Sequence, residues 1–374
     1  MTRLRVGILF GGRSTEHEVS ILSAQSIIAA IDPLRYEVIP LYVDRNGRWL
    51  IGDTVTRLVE DPDKRTYVYL PPDPTQHALV PAMPGAAGDA AMPPLDVVFP
   101  VFHGLNGEDG TIQGVLELAN VPYVGAGVLG SALGLDKIYM KRAFAAMGLP
   151  IVDYVSTTRR RFEQDPPAFI ELVEQRLGYP CFAKFANSGS SVGTTKAHNR
   201  SELMNGLRLS ATFDRKLLVE RGIDARELEV SVLGNDDPEA SVVGEVVPAR
   251  EFYDYEAKYL DEGSRLVIPA AVPAAVSDEI RQMAIRAFQA VDAAGMARVD
   301  FFYERRTDQI YLNEVNTIPG FTRISMYPKL WEASGLAYAK LLERLIDLAI
   351  ERFRDKQRSQ TAIDSRLLPA GADA

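Results

Sequence analysis

The N-terminal part of the chain contains three short apolar runs, and an amphipathic segment lies between the first and the second. Leu4–Phe10, Tyr36–Val43 and Asp96–Phe102 have the length of buried strands, and Val19–Ile31 has the periodicity of a helix. This alternation predicts a parallel sheet with crossover helices, in an α/β fold. The binding edge of such a sheet lies at the carboxyl ends of its strands.

Two polar side chains, Glu16 and His103, follow predicted strands at that edge. A further short strand is predicted at Val121–Val124. Between the strands, Pro81–Pro94 is rich in Pro, Gly and Ala without periodicity, which indicates a loop.

A helical segment from Leu135 to Met147 ends at Gly148-Leu149-Pro150, which predicts a domain boundary near residues 135 to 150. The compact unit that follows contains strands at Cys181–Ala186 and Lys216–Glu220 and a helix near Ser201–Leu209. A third region contains two strands, a helix, a hairpin and a long C-terminal helix. Apart from the hairpin, these elements are predicted at Glu229–Leu233, Val242–Val247, Ser277–Ala294 and Ala337–Phe353.

The hairpin consists of the alternating segments Val299–Tyr303 and Gln309–Val315 around a polar turn. Side chains alternate faces along a strand, so Glu314 and Asn316 share a face, and a suitable register places Asp300 beside them. Three hard oxygen ligands of this kind predict a Mg2+ site, which usually holds nucleotide phosphates as well. The alternative is a surface hairpin whose carboxylates face solvent.

The loop Asn187–Gly193 follows a strand and offers backbone amides, hydroxyls and no bulky side chains, as anion-binding loops do. It is not a Walker A sequence, and a plain flexible loop is the alternative. Lys184, inside an otherwise apolar strand, and Lys137 both need anionic partners if they are buried, and phosphate would serve. The alternative for each lysine is an edge position from which it reaches water.

Glu220 and Glu227 follow an apolar strand. Their carboxylates can accept hydrogen bonds from an exocyclic amine and from ribose hydroxyls, which the non-phosphate end of a nucleotide requires. Exposed glutamates are the alternative.

Composition and charge narrow the class of protein. The 374 residues suggest two or three domains, and 47% hydrophobic with 24% charged residues is typical of a soluble globular protein. A net charge of −9 without a dense Lys/Arg stripe argues against nucleic acid. No apolar stretch approaches the roughly 20 residues of a membrane helix, and the N-terminus lacks a signal-peptide core, so we expect a cytoplasmic protein with no membrane partner. The single Cys181 is expected to be a small buried hydrophobe.

Seven motifs, over about residues 5 to 330, together resemble the D-alanine:D-alanine ligases of the ATP-grasp fold. In order they are GGRSTEHEVS, FHGLNGEDGTIQG, LDK, KFANSGSSVG, FYDYEAKY, RVDFF and NEVNTIPGFTRIS. The resemblance implies three α/β domains around a cleft, with ATP between two antiparallel sheets. The expected divisions are an N-terminal substrate-binding domain at 1–136, a central domain at 137–228, a C-terminal domain at 229–356 and a flexible tail at 357–374.

The resemblance also implies roles for particular residues. The expected ATP contacts are Lys137, Lys184, Glu220, Ile223, Glu227 and Lys258. Two Mg2+ ions, which Mn2+ can replace, are expected on Asp300, Glu314 and Asn316. Glu16 would receive the ammonium of the first D-alanine, with Ser190, Tyr259 and His103 nearby. Arg298 and the backbone N–H of Gly320 would form an oxyanion site, and Ser325 would hold the second D-alanine.

This family resemblance implies an activity. The γ-phosphoryl group of ATP would pass to the first D-alanine, and the amine of the second would attack the acyl phosphate, giving D-alanyl-D-alanine for peptidoglycan precursor synthesis. The tyrosine-rich segment Ala249–Gly263 is expected to be a lid that excludes water. Tyr259 favours D-alanine as acceptor because it leaves no cation to repel the second ammonium. The expected partners are D-alanine, ATP and a second copy of the chain in a homodimer.

Two departures from the family pattern accompany the resemblance. The segment ERGIDAR from Glu220 is more polar than usual, and Pro71–Pro94 is an inserted loop. A ligase of the same fold with D-lactate or D-serine as acceptor is a second hypothesis. A third is a dinucleotide-binding module built on Gly11-Gly12, whose GGRSTE stretch is not G-x-G-x-x-G, and a fourth is a nucleotide-binding protein without catalysis.

Overall fold

The structure is a computed structural model that describes residues 3–61, 66–82, 92, 94–187, 189, 193–247, 265–322 and 324–360. In these ranges the strands form three sheets, and some helices pack against more than one of them. No helix in them is long and apolar enough to cross a membrane.

The first sheet has six strands in the order β5-β4-β3-β2-β1-β6. They are β1 Leu4–Gly11, β2 Tyr36–Val43, β3 Trp49–Ile51, β4 Thr66–Tyr69, β5 Val80–Pro81 and β6 Val97–Pro100. Strands β2, β1 and β6 are parallel, as predicted, and β3, β4 and β5 extend the sheet in antiparallel fashion. Its helices are α1 His17–Ala30, α2 Val55–Glu60, α3 Thr111–Leu118 and α4 Val128–Leu135.

The strand predicted at Val121–Val124 is wrong. Only an isolated parallel bridge between Tyr123 and Val98 forms there. Pro122 has no amide hydrogen to donate to a ladder, and Gly125, with φ of 96°, turns the chain away directly afterwards.

The second sheet is antiparallel, in the order β7-β10-β8-β9. It contains β7 Tyr154–Thr158, β8 Cys181–Phe185, β9 Thr195–Ala197 and β10 Lys216–Arg221, with helices α5 Lys137–Ala146, α6 Arg159–Gln164, α7 Pro166–Arg176 and α8 Arg200–Phe213. Asp136 caps α5 by accepting hydrogen bonds from the amides of Ile138 and Tyr139. Cys181 is a free, fully buried thiol in the core of this unit, as predicted.

The third sheet follows the order β14-β13-β11-β15-β16, with β12 paired to β11. Its strands are β11 Ala225–Gly234, β12 Glu239–Ala240, β13 Gly244–Val247, β14 Arg265–Val267, β15 Gly295–Glu304 and β16 Ile310–Asn316, and its helices are α9 Ala274–Ala290, α10 Met326–Ala333 and α11 Tyr338–Lys356. Val299 and Phe301 point from β15 into a core shared with Phe288 of α9. The opposite face of β15 therefore carries its polar side chains.

Candidate active site

Strands β15 and β16 form the predicted antiparallel hairpin. Asp300 lies directly opposite Glu314, and Arg298 lies opposite Asn316. The Asn316 amide donates a hydrogen bond to Asp300 Oδ2 at 3.1 Å. Asp300 is only 9% exposed, so it is not a solvent-facing carboxylate. The three side chains predicted as metal ligands therefore lie together on one partly buried surface.

Each carboxylate of this surface holds a cationic side chain. The Arg298 guanidinium donates two hydrogen bonds to Asp300, both at 2.7 Å, and its Nε lies 3.1 Å from Glu229 Oε2. Lys137 Nζ donates to Glu314 Oε2 at 2.5 Å. Burial by itself would lower the pKa of Arg298 and of Lys137, but the neighbouring carboxylates outweigh it and raise both. Both side chains are therefore fully charged.

The donor set fits a divalent cation. No group of three His, Cys, Asp or Glu side chains forms a metal site within the described ranges, but two opposed carboxylates with the Asn316 amide oxygen supply the hard oxygen donors that Mg2+ prefers. Each of the two carboxylates already forms an ion pair with a cationic side chain, Asp300 with Arg298 and Glu314 with Lys137. The surface is therefore built to hold cations.

Lys184 and Glu220 occupy one face of the second sheet. Lys184 pairs across the ladder with Leu218, and Glu220 with Phe182 and Tyr154, so these side chains share a face. Lys184 Nζ donates to Glu220 Oε2 at 2.6 Å, and Lys141 Nζ lies 2.8 Å from Glu220 Oε1. Burial opposes ionisation of Glu220, but the two lysines lower its pKa to about 2. This buried carboxylate is therefore an anion.

Ile223 and Glu227 lie where the second sheet passes into the third. Ile223 is half-buried in the connection between β10 and β11, and Glu227 on β11 lies opposite Phe302 of β15. Glu227 and Glu229 share the face of β11 that also carries Arg298 and Asp300 on β15. Within the described residues, the predicted ATP contacts therefore line a surface that runs from the second sheet to the third.

Glu16 and His103 lie together at the edge of the first sheet, as the parallel strands predict. Glu16 immediately precedes α1 and is 6% exposed. His103 Nδ1 makes a hydrogen bond of 3.1 Å with the carbonyl oxygen of Ile318, whereas its buried Nε2 has no hydrogen-bond partner in the described part of the chain. Burial lowers the pKa of His103, so a neutral imidazole connects the edge of the first sheet to the loop after β16.

Two glycines lie against the Glu16 carboxylate, Gly104 from the first unit and Gly189 from the loop after β8. A methyl group on Gly104 or Gly189 would lie 3.0 Å or 2.7 Å from Glu16 Oε2. Gly104 also has a positive φ of 74°. The loop after β8 therefore reaches the Glu16 carboxylate at a position that no larger residue could occupy without moving it.

Gly320 and Ser325 lie in the loop after β16. The Ser325 hydroxyl accepts a hydrogen bond from the Thr322 amide at 3.0 Å, and a methyl group on Gly320 would lie 2.8 Å from the Ser325 Oγ. The two predicted residues are therefore adjacent. Ser190, Lys258 and Tyr259, together with the predicted lid Ala249–Gly263, lie outside the described residues.

Three further buried ionisable side chains belong to this region and were not predicted: Lys141, Glu229 and Glu108. Lys141 lies one helical turn after Lys137, an i,i+4 spacing that the sequence displays. Glu229 follows Glu227 at the alternation of a strand. Glu108 accepts hydrogen bonds from the amides of Gly104 at 2.7 Å and Ile318 at 3.1 Å, and burial raises its pKa to about 8. Nothing in the sequence indicates that last link between two distant loops.

Lysines on a central antiparallel sheet and acidic residues on a second one, beside a parallel N-terminal sheet, define the ATP-grasp class of α/β proteins. Comparison with known proteins is more specific. Residues 5–126 match the family model described as "D-ala D-ala ligase N-terminus", and residues 143–347 match "D-ala D-ala ligase C-terminus". The chain belongs to the D-alanine–D-alanine ligase family, which confirms the resemblance seen in its motifs.

Individual relatives agree over nearly the whole length. The chain is 52% identical to the D-alanine–D-alanine ligase of Heliobacterium modesticaldum, with 96% of this chain and 98% of the relative covered. It is 47% identical to the ligase of the same name from Geobacillus thermodenitrificans, with 95% and 98% covered.

Solved structures show the same fold. The D-alanine-D-alanine ligase from Coxiella burnetii superposes with a TM-score of 0.83 at 35% identity, covering 96% of this chain and 97% of that one. The VanG D-Ala:D-Ser ligase from Enterococcus faecalis also gives 0.83, at 33% identity, covering 93% and 100%.

Proposed function

We propose that this protein joins two D-alanine molecules in an ATP-dependent reaction, giving D-alanyl-D-alanine, ADP and phosphate. The observation that carries the proposal is the continuous charged surface from Lys184 and Glu220 through Lys137 to Glu314, Asp300 and Arg298. Such a surface suits a polyanionic nucleotide with divalent cations, and family membership supports ATP and D-alanine as the substrates.

A carboxylate does not react with an amine at neutral pH, because it lacks a leaving group. In the proposed first step, a carboxylate oxygen of the first D-alanine attacks the γ-phosphorus of ATP, and the bond between that phosphorus and the ADP oxygen breaks. The deprotonated amine of the second D-alanine then attacks the acyl carbon. The nitrogen loses a proton to solvent or to the departing phosphate, phosphate leaves with the electron pair of the C–O bond, and the peptide bond remains.

The proposed roles follow the charges. Lys137 and Lys184 turn from Glu314 and Glu220 to the ATP phosphates, while Glu220, Ile223 and Glu227 contact adenine and ribose. Asp300, Glu314 and Asn316 would hold two Mg2+ ions, or Mn2+, which would neutralise the phosphoryl oxygens as charge moves between them. From the sequence resemblance alone, Lys258 would join them at the γ-phosphate.

The amino-acid site is proposed on the other side of the reacting atoms. Glu16 receives the ammonium of the first D-alanine, beside His103 and, by resemblance, Ser190 and Tyr259. Arg298 and the Gly320 amide stabilise the oxygen of the tetrahedral intermediate, because preorganised donors act where charge develops. Ser325 holds the carboxylate of the second D-alanine.

The test measures phosphate release and product identity with ATP, Mg2+ and D-alanine, D-lactate or D-serine, singly and in pairs. We expect phosphate release when D-alanine is the only acceptor added with ATP and Mg2+, and we expect the product to be D-alanyl-D-alanine. D-serine is included because the Enterococcus faecalis structure is that of a D-Ala:D-Ser ligase. Formation of D-alanyl-D-serine or D-alanyl-D-lactate as fast as the dipeptide, at equal acceptor concentrations, would contradict the proposed acceptor.

We further propose that the protein acts in the cytoplasm in peptidoglycan precursor synthesis and forms a homodimer. The three-domain division at 1–136, 137–228 and 229–356, with the tail at 357–374, is part of the same proposal. Light scattering of the purified protein tests the dimer. Limited proteolysis followed by mass spectrometry tests the divisions.

A further inference from the structure

Lys141 is the most deeply buried cation beside the proposed nucleotide site. It is 1% exposed, on the helix that also carries Lys137. Its Nζ forms an ion pair with Glu220 Oε1 at 2.8 Å. A lysine is almost never buried to this degree unless it is paired. The role of Lys141 is therefore expected to depend on its partner Glu220.

Glu220 holds two cations, one on each carboxylate oxygen. Lys184 contacts Oε2 at 2.6 Å and Lys141 contacts Oε1. The two lysines differ in their freedom. Lys184 stands on the face of β8 opposite the core residues Cys181 and Ala183, and its side chain is 14% exposed. Lys141 lies between α5 and the second sheet, with its Nζ 5.9 Å from the Tyr154 ring centre.

The proposed function requires Lys184 to leave Glu220 for an ATP phosphate. A carboxylate that is 3% exposed would then lose one of its two counter-charges. Without the other it would take up a proton, because a buried charge without a partner is costly. Lys141 stays in place, since its side chain is only 1% exposed.

We infer that Lys141 is a positioning residue for nucleotide binding: it holds Glu220 ionised and stationary while Lys184 moves to ATP, and so maintains an obligate acceptor for the adenine amine. The inference rests on the proposed function, because it takes ATP to be the ligand of Lys184 and Glu220. It also makes Lys141 a determinant of base specificity. An ionised carboxylate accepts from the 6-amino group of adenine and repels the 6-keto group of hypoxanthine, whereas a protonated one can donate to the keto oxygen.

The groups that face Glu220 come from three elements. They are Lys137 and Lys141 on α5, Lys184 on β8 and Tyr154 on β7. With both Lys141 and Lys184 in place, the pKa of Glu220 is about 2, so the wild-type carboxylate does not titrate between pH 6 and 9. With Lys141 removed and Lys184 engaged on ATP, its pKa would rise.

The test compares the wild type with Lys141→Met. Methionine suits a buried site, and the Glu220–Lys184 pair remains when no nucleotide is bound, so the variant should fold. We expect the KM for ATP to rise about tenfold or more, equivalent to at least one lost charge contact, with kcat changed less than threefold. The KM for ATP should fall again as pH rises from 6 to 9 and Glu220 ionises. The preference for ATP over inosine triphosphate should also decrease.

A matched control is Lys340→Met, which removes the lysine of another Lys–Glu pair, on helix α11, and should leave all of these values unchanged. Lys141→Gln serves in the same assays if the methionine variant does not fold. Binding of a non-hydrolysable ATP analogue is measured in parallel. A wild type that fails to bind it would contradict the proposed function.

If the wild type binds the analogue, two outcomes would overturn the role of Lys141. One is a Lys141 variant with unchanged KM for ATP. The other is a variant whose KM for ATP is raised equally at all pH values and whose preference for ATP over inosine triphosphate is the same as that of the wild type.

Discussion

Asp300 and Glu314 lie directly opposite each other across strands β15 and β16, and each carboxylate is bound by a cationic side chain. Arg298 comes from the same strand as Asp300, whereas Lys137 comes from a helix 177 residues before Glu314 in the chain. Two like charges at this distance would repel each other. Arg298 and Lys137 place positive charge beside these carboxylates, and Mg2+ would supply positive charge there in the proposed reaction.

Glu314→Gln should therefore remove turnover. The neutral amide binds Mg2+ more weakly than the carboxylate that it replaces. It also leaves Lys137 without the anionic partner at 2.5 Å, so we expect a loss of about 1 to 3 kcal/mol in unfolding free energy, as for hydrogen bonds to charged groups. Steady-state assays across Mg2+ concentrations and urea unfolding measure the two effects. Glu304→Gln, at the far end of the same hairpin, is the control. Near-normal activity of Glu314→Gln at ordinary Mg2+ would rule out the metal assignment.

Glu229→Gln should lower kcat about tenfold, the effect of roughly 1.4 kcal/mol in the barrier. Glu229 contacts the Nε of Arg298 at 3.1 Å, and it is the remaining carboxylate partner of that guanidinium once Asp300 binds metal. Glutamine keeps the shape but not the charge. Glu245→Gln, which removes the partner of Arg226 on the opposite face of the same sheet, should retain activity. Equal kcat values for the two variants would show that Glu229 does not act through Arg298.

Gly189→Ala should raise the KM for D-alanine with little change in stability. The new methyl group would lie 2.7 Å from Glu16 Oε2. The carboxylate can turn aside at small cost, but it then leaves the position proposed for the substrate ammonium. Gly114→Ala on α3, where a methyl group meets no atom within 4 Å, is the matched control, and it should stabilise the helix by about 0.5 to 1 kcal/mol. An unchanged KM in Gly189→Ala would place the ammonium elsewhere.

Glu220 should contribute to acid unfolding. Its pKa is lowered from an ordinary value of 4.5 to about 2, so its stabilisation is fully present above pH 4.5 and is lost as pH falls towards 2. The contribution is on the order of 3 kcal/mol. The difference in unfolding free energy between the wild type and Glu220→Gln should therefore be largest at neutral pH and shrink on acidification. Urea unfolding at intervals from pH 7 to pH 3 measures it, and a constant difference would contradict the assignment.

Local sequence patterns were sufficient for the main elements. The apolar run Tyr36–Val43 is a strand with those bounds, and the alternation around residues 299–315 is the hairpin. At Val121–Val124 an apolar run was not sufficient, because Pro122 and Gly125 prevent the single bridge between Tyr123 and Val98 from extending into a ladder. The sheet at the N-terminus has a parallel centre, as the alternating pattern indicates, but its short antiparallel strands β3 to β5 lie in segments with weak periodicity.

The sequence by itself determined the class of chemistry, since seven ordered motifs and the spacing of Asp300, Glu314 and Asn316 indicated a nucleotide and metal site before any contact was known. Only the tertiary structure decided which distant polar groups meet. Lys141 with Glu220, Glu229 with Arg298, and Glu108 with the Ile318 amide are pairs between residues 69 to 210 positions apart. Local periodicity specifies which face a side chain occupies, whereas such pairs depend on strand register and on the packing of one unit against another.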